Sequence, residues 1–113
     1  MSDCIFCKIV AGEIPSKKAY EDEQVLAFYD IAPAAPVHIV VIPKEHVLQS
    51  AREIGGKDSA LIAHIFEVIA RLAAELHLDG GYRVVTNAGE DAGQTVMHLH
   101  FHLLGGKTLG PMA

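Results

Sequence analysis

The chain lacks any apolar run approaching the ~18 residues that read as a membrane span. It also lacks a charged-then-apolar stretch at its start, so no signal peptide is expected and the cytoplasm is the default compartment. Basic residues are scarce: nine Lys and Arg face 14 Asp and Glu, for a formal charge of −5. That balance argues against a nucleic-acid polymer as ligand, because gripping a phosphate backbone requires a basic surface. A single nucleotide stays open, since backbone amides can hold one phosphate without net positive charge. Only two cysteines are present, and in a reducing compartment they are not expected to form a structural disulfide. No internal repeat, low-complexity segment or linker interrupts the 113 residues. One domain over 1–113 with one modest core is therefore expected. Half of the residues are hydrophobic, slightly rich for this size, which suggests apolar surface covered by a partner.

What is present centres on His98-Leu99-His100-Phe101-His102-Leu103-Leu104. Strict alternation of histidine with apolar residues fits a strand, whose successive side chains point to opposite faces. A helix would scatter the imidazoles by about 200° per two-residue step. The alternation predicts three imidazoles on one face and Leu99, Phe101 and Leu103 in the core. Three readings of such a row compete. It is a half-exposed strand whose polar residues happen to be histidine; or a transition-metal site; or a nucleophilic centre. Neutral imidazole is nucleophilic near neutral pH and forms covalent intermediates.

Elsewhere, Cys4-x-x-Cys7 has the spacing with which two thiolates meet one tetrahedral ion. His46 and His98 are the candidates for the remaining ligands, and a pair of small buried thiols is the plain alternative. Strands are expected at about 17–20, 24–29, 37–42, 82–87 and 98–104, with Val25, Ala27 and Tyr29 opposing Leu26 and Phe28. His38 breaks the apolar run 37–42 and, taken alone, reads as a hydrogen-bonded histidine. One long helix is predicted over Asp58–Leu78, capped by Asp58 or Ser59 and stopped at Gly80-Gly81. His64, Glu67, Arg71 and Glu75 form its single polar stripe, so His64 is expected in solvent, as is His77. An apolar arc that wide cannot be hidden by one sheet face alone, which points to a second subunit. Gly89 and Gly93, just before the histidine row, suit a close approach of backbone to phosphate. One long helix among five strands makes an α+β domain with a mostly antiparallel sheet.

The row His98–Leu104 resembles the signature of the histidine triad (HIT) family. Asn87-Ala88-Gly89-Glu90-Asp91-Ala92-Gly93-Gln94-Thr95-Val96-Met97, Asp3-Cys4-Ile5-Phe6-Cys7-Lys8-Ile9-Val10 and Ala27-Phe28-Tyr29-Asp30-Ile31-Ala32-Pro33 resemble its Hint branch. The similarity runs from about Cys4 to Gly106. It implies a homodimer whose two sheets join, and hydrolysis or transfer at the α-phosphorus of purine nucleoside phosphoramidates. His100 would be the nucleophile, His102 would hold non-bridging oxygens, and His98 would fix the segment. His38 would be a fourth imidazole of the site. Gln94, Thr95 and amides near Gly93–Thr95 would face phosphate and leaving group; the family usually carries serine where Thr95 stands. Asp30 would bind the ribose hydroxyls, Phe6, Phe28 and Ile31 the base, and Asn87 the phosphate side. Zinc-binding relatives use two cysteines, a mid-chain histidine and the first triad histidine. Others lack the cysteines, so zinc is not required for the chemistry. The resemblance leaves two other classes standing: a nucleotide-binding regulator with incidental hydrolysis, and an enzyme whose triad binds a catalytic ion.

Overall fold

The computed structural model describes residues 3–112. Five strands, β1 (Lys18–Glu21), β2 (Val25–Tyr29), β3 (Val37–Pro43), β4 (Tyr82–Val85) and β5 (Phe101–Gly105), form one antiparallel sheet in the order β1-β2-β3-β5-β4. The β-branched run of β3 puts it at the sheet's centre, where it pairs with β2 on one side and β5 on the other. Period-two alternation divides the sheet residues between two faces. Val25, Ala27, Ile39, Val41, Phe101 and Leu103 join Leu99 in a core under the long helix α2 (Ser59–Glu75). Leu26, Phe28, Val40 and Ile42 point the other way, beneath the short helix α1 (Ile5–Val10). The expected α+β class and strand alternation are what the structure shows. Helix α1 was not foreseen, because six residues are too few for a clear period.

Several boundaries move. Helix α2 begins at Ser59, and the Asp58 carboxylate accepts from the Gly55 amide at 2.9 Å rather than capping the helix. Its end comes before the glycine pair. The amides of His77 and Leu78 reach back to the carbonyls of Ala74 and Ala73, with His77 at φ 57° in the left-handed position that glycine more often fills. Leu78 then folds back into the core. The last strand starts three residues later than expected, because residues 96–98 bend and the Leu99 amide donates to Leu48 outside the sheet. Leu99, Phe101 and Leu103 are nonetheless buried.

The polar stripe of α2 also differs from expectation at one residue. His64 meets Asp22 at the β1–β2 turn, Nε2 to Oδ2 2.6 Å, with Glu67 Oε1 3.6 Å from Nδ1. Asp22 is pre-set for this by the amides of Gln24 and Val25 and the Tyr20 hydroxyl, each at 2.8 Å. The bond to Asp22 raises the His64 pKa against partial burial. Burial pushes Asp22 upward, but the donors around it together hold its carboxyl well below the usual range. Stability from this pair is therefore full below the unfolded histidine value of about 6.5 and above the carboxylate value of about 4. It is lost as pH rises through the raised His64 pKa. Both side chains keep about a quarter of their surface exposed, so the contribution is about 1 kcal/mol or less. Urea denaturation of wild type and His64→Gln should differ by that amount near pH 6 and converge in alkali. A difference that persists undiminished to high pH would contradict the assignment.

No helix among the described residues is long and apolar enough to cross a membrane. Ile65, Val68, Ile69, Leu72 and Ala73 of α2 are buried on the sheet, while Phe66 stays 45% exposed with its ring edge-on to Phe101 at 5.4 Å.

Candidate active site

Four imidazoles gather on the α1 side of the sheet, and their partners decide which ring nitrogens carry protons. A backbone amide can only donate and a carbonyl can only accept, so each such contact fixes a tautomer. The Ala34 amide donates to His38 Nδ1 at 3.0 Å. His38 therefore carries its hydrogen on Nε2, which donates to His102 Nδ1 at 2.9 Å. His102 in turn is left with its hydrogen on Nε2. Asp30 Oδ2 lies 3.5 Å from His38 Nε2 and reinforces this polarity. The contact exists because β3 and β5 pair with Val40 opposite His102 and His38 opposite Leu104, which makes the two histidines diagonal neighbours on one face.

His100 is set differently. Its Nδ1 lies 2.7 Å from the carbonyl of His98 and must donate, so Nε2 bears the unshared pair. The Thr86 hydroxyl donates to the His100 carbonyl at 2.7 Å, pinning the backbone on the other side. Phe6 of α1 places its ring edge-on to His100, centroids 5.0 Å apart. Burial lowers the His100 pKa, opposed by the bond to the His98 carbonyl. Burial, then the neighbouring His100 and His38, bring His102 down to about 4. Near pH 7 the pair is thus neutral, one ring presenting a lone pair and the other an N–H.

His98 shares that side, its ring edge-on to Phe6 with centroids 5.9 Å apart, but it meets different partners. It lies within the bend at 96–98. Its Nε2 donates to the Pro43 carbonyl at 2.8 Å, leaving Nδ1 as the bare nitrogen, 3.4 Å from Cys4 Sγ and 3.6 Å from Cys7 Sγ. His46 Nδ1 lies 3.3 Å from Cys7 Sγ. Cys4 caps α1, its sulfur accepting the Cys7 amide at 3.4 Å. All four donor atoms fall within 4.8 Å of one another, close enough to hold one metal ion. Burial lowers the His98 pKa, and the carbonyl behind its other nitrogen is the arrangement that orients a metal-binding histidine. Asp30, His38 and His102 are equally close together. Their chemistry is different: the His38 nitrogen in that group carries a hydrogen and cannot ligate without losing the Ala34 bond.

The loop before the triad is built by Gln94, which is buried. Its Oε1 accepts the Gly89 amide at 2.8 Å, and its Nε2 donates to the carbonyls of Gln49 and Val96 at 2.7 and 3.0 Å. Both ends of that amide hold the loop rather than pointing to a ligand, contrary to the phosphate contact expected of it. The amides of Gly93 and Gln94 likewise donate inside the loop, to Glu90 and Gly89. Thr95 is exposed at the end of it, and Asn87 is half-buried just beyond β4. Gly89 and Gly93 have φ of 91° and 88°, and a Cβ at Gly89 would meet Arg52 Nη2 at 2.6 Å. Arg52 and Thr86 escaped the sequence reading, since neither belongs to a spacing pattern.

On the other side, Asp30 keeps Oδ1 on the Ala32 amide at 2.8 Å. Phe28 is buried beneath Phe6, ring centroids 5.7 Å apart. Ile31 is 97% exposed beside Asp30, so it forms no wall of a closed pocket here.

The family model described as HIT domain matches residues 11–109. The chain belongs to the HIT family. It is similar to an uncharacterised HIT-like protein of Rickettsia prowazekii, 49% identical over 93% of this chain and 88% of that one. A HIT family hydrolase from Clostridium thermocellum superposes with a TM-score of 0.93 at 47% identity, covering 99% of this chain and 97% of that chain. A histidine triad nucleotide-binding protein from Candida albicans gives 0.81 at 37% identity, over 98% and 84%. The antiparallel sheet with one long helix is thus the HIT fold, with the four imidazoles in its β3–β5 region.

Proposed function

We propose that this HIT protein hydrolyses purine nucleoside 5′-phosphoramidates, releasing a nucleoside monophosphate and an amine through a nucleotidyl-His100 intermediate. The observation that carries the reading is the bond from His100 Nδ1 to the His98 carbonyl at 2.7 Å, which commits Nε2 to the lone pair. That nitrogen attacks the α-phosphorus; the N–P bond forms as the bond to the leaving nitrogen breaks. The departing nitrogen takes up a proton from solvent and leaves as the amine, with the Thr95 hydroxyl on that side. Water then attacks phosphorus and returns a proton to solvent, the His100–phosphorus bond breaks, and the imidazole is regenerated. Two easier displacements replace one difficult one.

His102 Nε2–H, held in place by the relay from Ala34 through His38, donates to the non-bridging oxygens as charge builds on them. Because Gly93 and Gln94 use their amides within the loop, the anion contacts fall to Thr95, with Asn87 on the phosphate side. Asp30 accepts from the ribose hydroxyls, its two oxygens suiting two donors. Phe6 and Ile31 flank the base, with Phe28 supporting Phe6. Cys4, Cys7, His46 and His98 would hold a zinc ion whose contribution would be structural, tying α1 to the triad segment. Thiolate ligands suit a reducing cytoplasm. We read 1–113 as one HIT domain acting as a homodimer, supported by the exposed strip Ala63, Phe66, Ala70 and Ala74 along α2. Neither a nucleic-acid polymer nor a membrane has a place in this reading.

The test is turnover of adenosine 5′-phosphoramidate, followed as release of AMP and ammonia. Multiple turnovers are expected. Tight binding of AMP without turnover would overturn the hydrolase reading in favour of a nucleotide-binding regulator.

A further inference from the structure

An open pocket of about 380 Å³ lies beside Thr95, walled by Asp3, Cys4 and Ile5 at the start of α1, by His46 and Gln49 after β3, and by Val96 and Met97, so that it borders the Cys4–His46 side of the metal cluster. Its placement relative to the chemistry follows from the strand that spans the site. His38, with Asp30 beside it, sits at the beginning of β3, whereas Pro43, which accepts from His98, ends it. Seven extended residues at about 3.3 Å each separate the two ends by roughly 20 Å. The carboxylate that suits a ribose is thus at one end and the pocket at the other, with His100 and His102 between. The pocket's α1 wall is continuous with the nucleophile's support, since Ile5 precedes Phe6, whose ring abuts His100.

The wall also has a definite chemistry. Ile5 and Met97 are 45% and 43% exposed, two of the few large apolar side chains that the described residues leave in solvent. Asp3 is the one carboxylate in the wall, and no lysine or arginine lines it. An apolar substituent gains from covering Ile5 and Met97. A leaving group that ends in phosphate meets Asp3 with no lysine or arginine to balance it and must shed its hydration for the apolar part of the wall, which is discrimination by repulsion.

We propose that this pocket receives the substituent of the leaving amine and selects apolar amines over phosphate-bearing ones. The proposal rests on the phosphoramidate reading above and specifies its substrate class.

Three substrates separate the two. Each has adenosine 5′-phosphate joined through nitrogen: to hydrogen alone, to a 2-phenylethyl group, or to a 2-(phosphonooxy)ethyl group. For the wild type, kcat/KM with phenylethyl should exceed that with the phosphate-bearing group by about tenfold or more, the scale of pocket discrimination. In Met97→Lys and Asp3→Lys that ratio should shrink several-fold. Ile5→Ala should lower the phenylethyl rate alone. All three variants should keep turnover of the unsubstituted phosphoramidate within about twofold, which also shows that they fold. A ratio unchanged in the variants, with the unsubstituted compound still hydrolysed, overturns the pocket assignment and leaves the hydrolase reading intact. A wild type inert toward all three overturns both.

Discussion

Replacing His100 by alanine should lower phosphoramidate turnover by roughly 10³-fold or more, with nucleotide binding retained. The expected size reflects the loss of a covalent route, since removing a nucleophile usually costs about as much as removing its whole catalytic unit. Neighbouring imidazoles cannot substitute. His102 has its Nδ1 occupied by His38 and presents an N–H outward, while the bare nitrogen of His98 is turned toward Cys4 and Cys7. Steady-state rates and AMP titration of wild type, His100→Ala and His102→Ala check this. His102→Ala should retain a larger residual rate, because it removes one donor to the transition state, worth about 10²–10³ in comparable sites. Equal activity of His100→Ala and wild type would show that the nucleophile is elsewhere.

Removing zinc from loaded protein should lower stability sharply and leave the initial rate intact. With metal at a hundredfold excess over its Kd, binding adds about 2.7 kcal/mol, roughly 10 °C in Tm for a chain of this size. The reason is architectural. Cys4 and Cys7 belong to α1, His46 follows β3 and His98 precedes β5, so one ion crosslinks three separate segments. Thermal unfolding with and without chelator, in wild type and in Cys7→Ala, measures it: the shift should vanish in the variant. Loss of turnover on chelation at a temperature where the protein stays folded would instead make the ion part of the chemistry.

Much of this arrangement was legible in the sequence because it rests on period and on side-chain type. Leu99, Phe101 and Leu103 are buried as their alternation with histidine requires, and the opposite faces of Val25–Tyr29 separate as predicted. The proximity of Cys4, Cys7, His46 and His98 agrees with the donor set that spacing and resemblance suggested. What was not legible depends on backbone groups. That residues 96–98 bend, so that β5 begins only at Phe101, goes with the Leu99–Leu48 bond, which no residue type announces. The tautomer of His38 is set by an alanine amide, and that of His100 by a carbonyl. Gln94 looks like a phosphate ligand in sequence, but its buried amide satisfies the loop it belongs to, as a buried polar group must. His64 appeared solvated because its partner, Asp22, is 42 residues away in the chain.

Central to the account is that phosphorus bonds to His100 before it meets water. The stereochemical course at phosphorus tests this most directly, using a phosphoramidate made chiral at phosphorus by sulfur substitution and hydrolysed in isotopically labelled water. Two successive in-line displacements predict net retention of configuration, with a nucleotidyl group trapped on His100 in acid-quenched protein. Net inversion would mean a single displacement by water, and the triad would no longer be a nucleophilic centre.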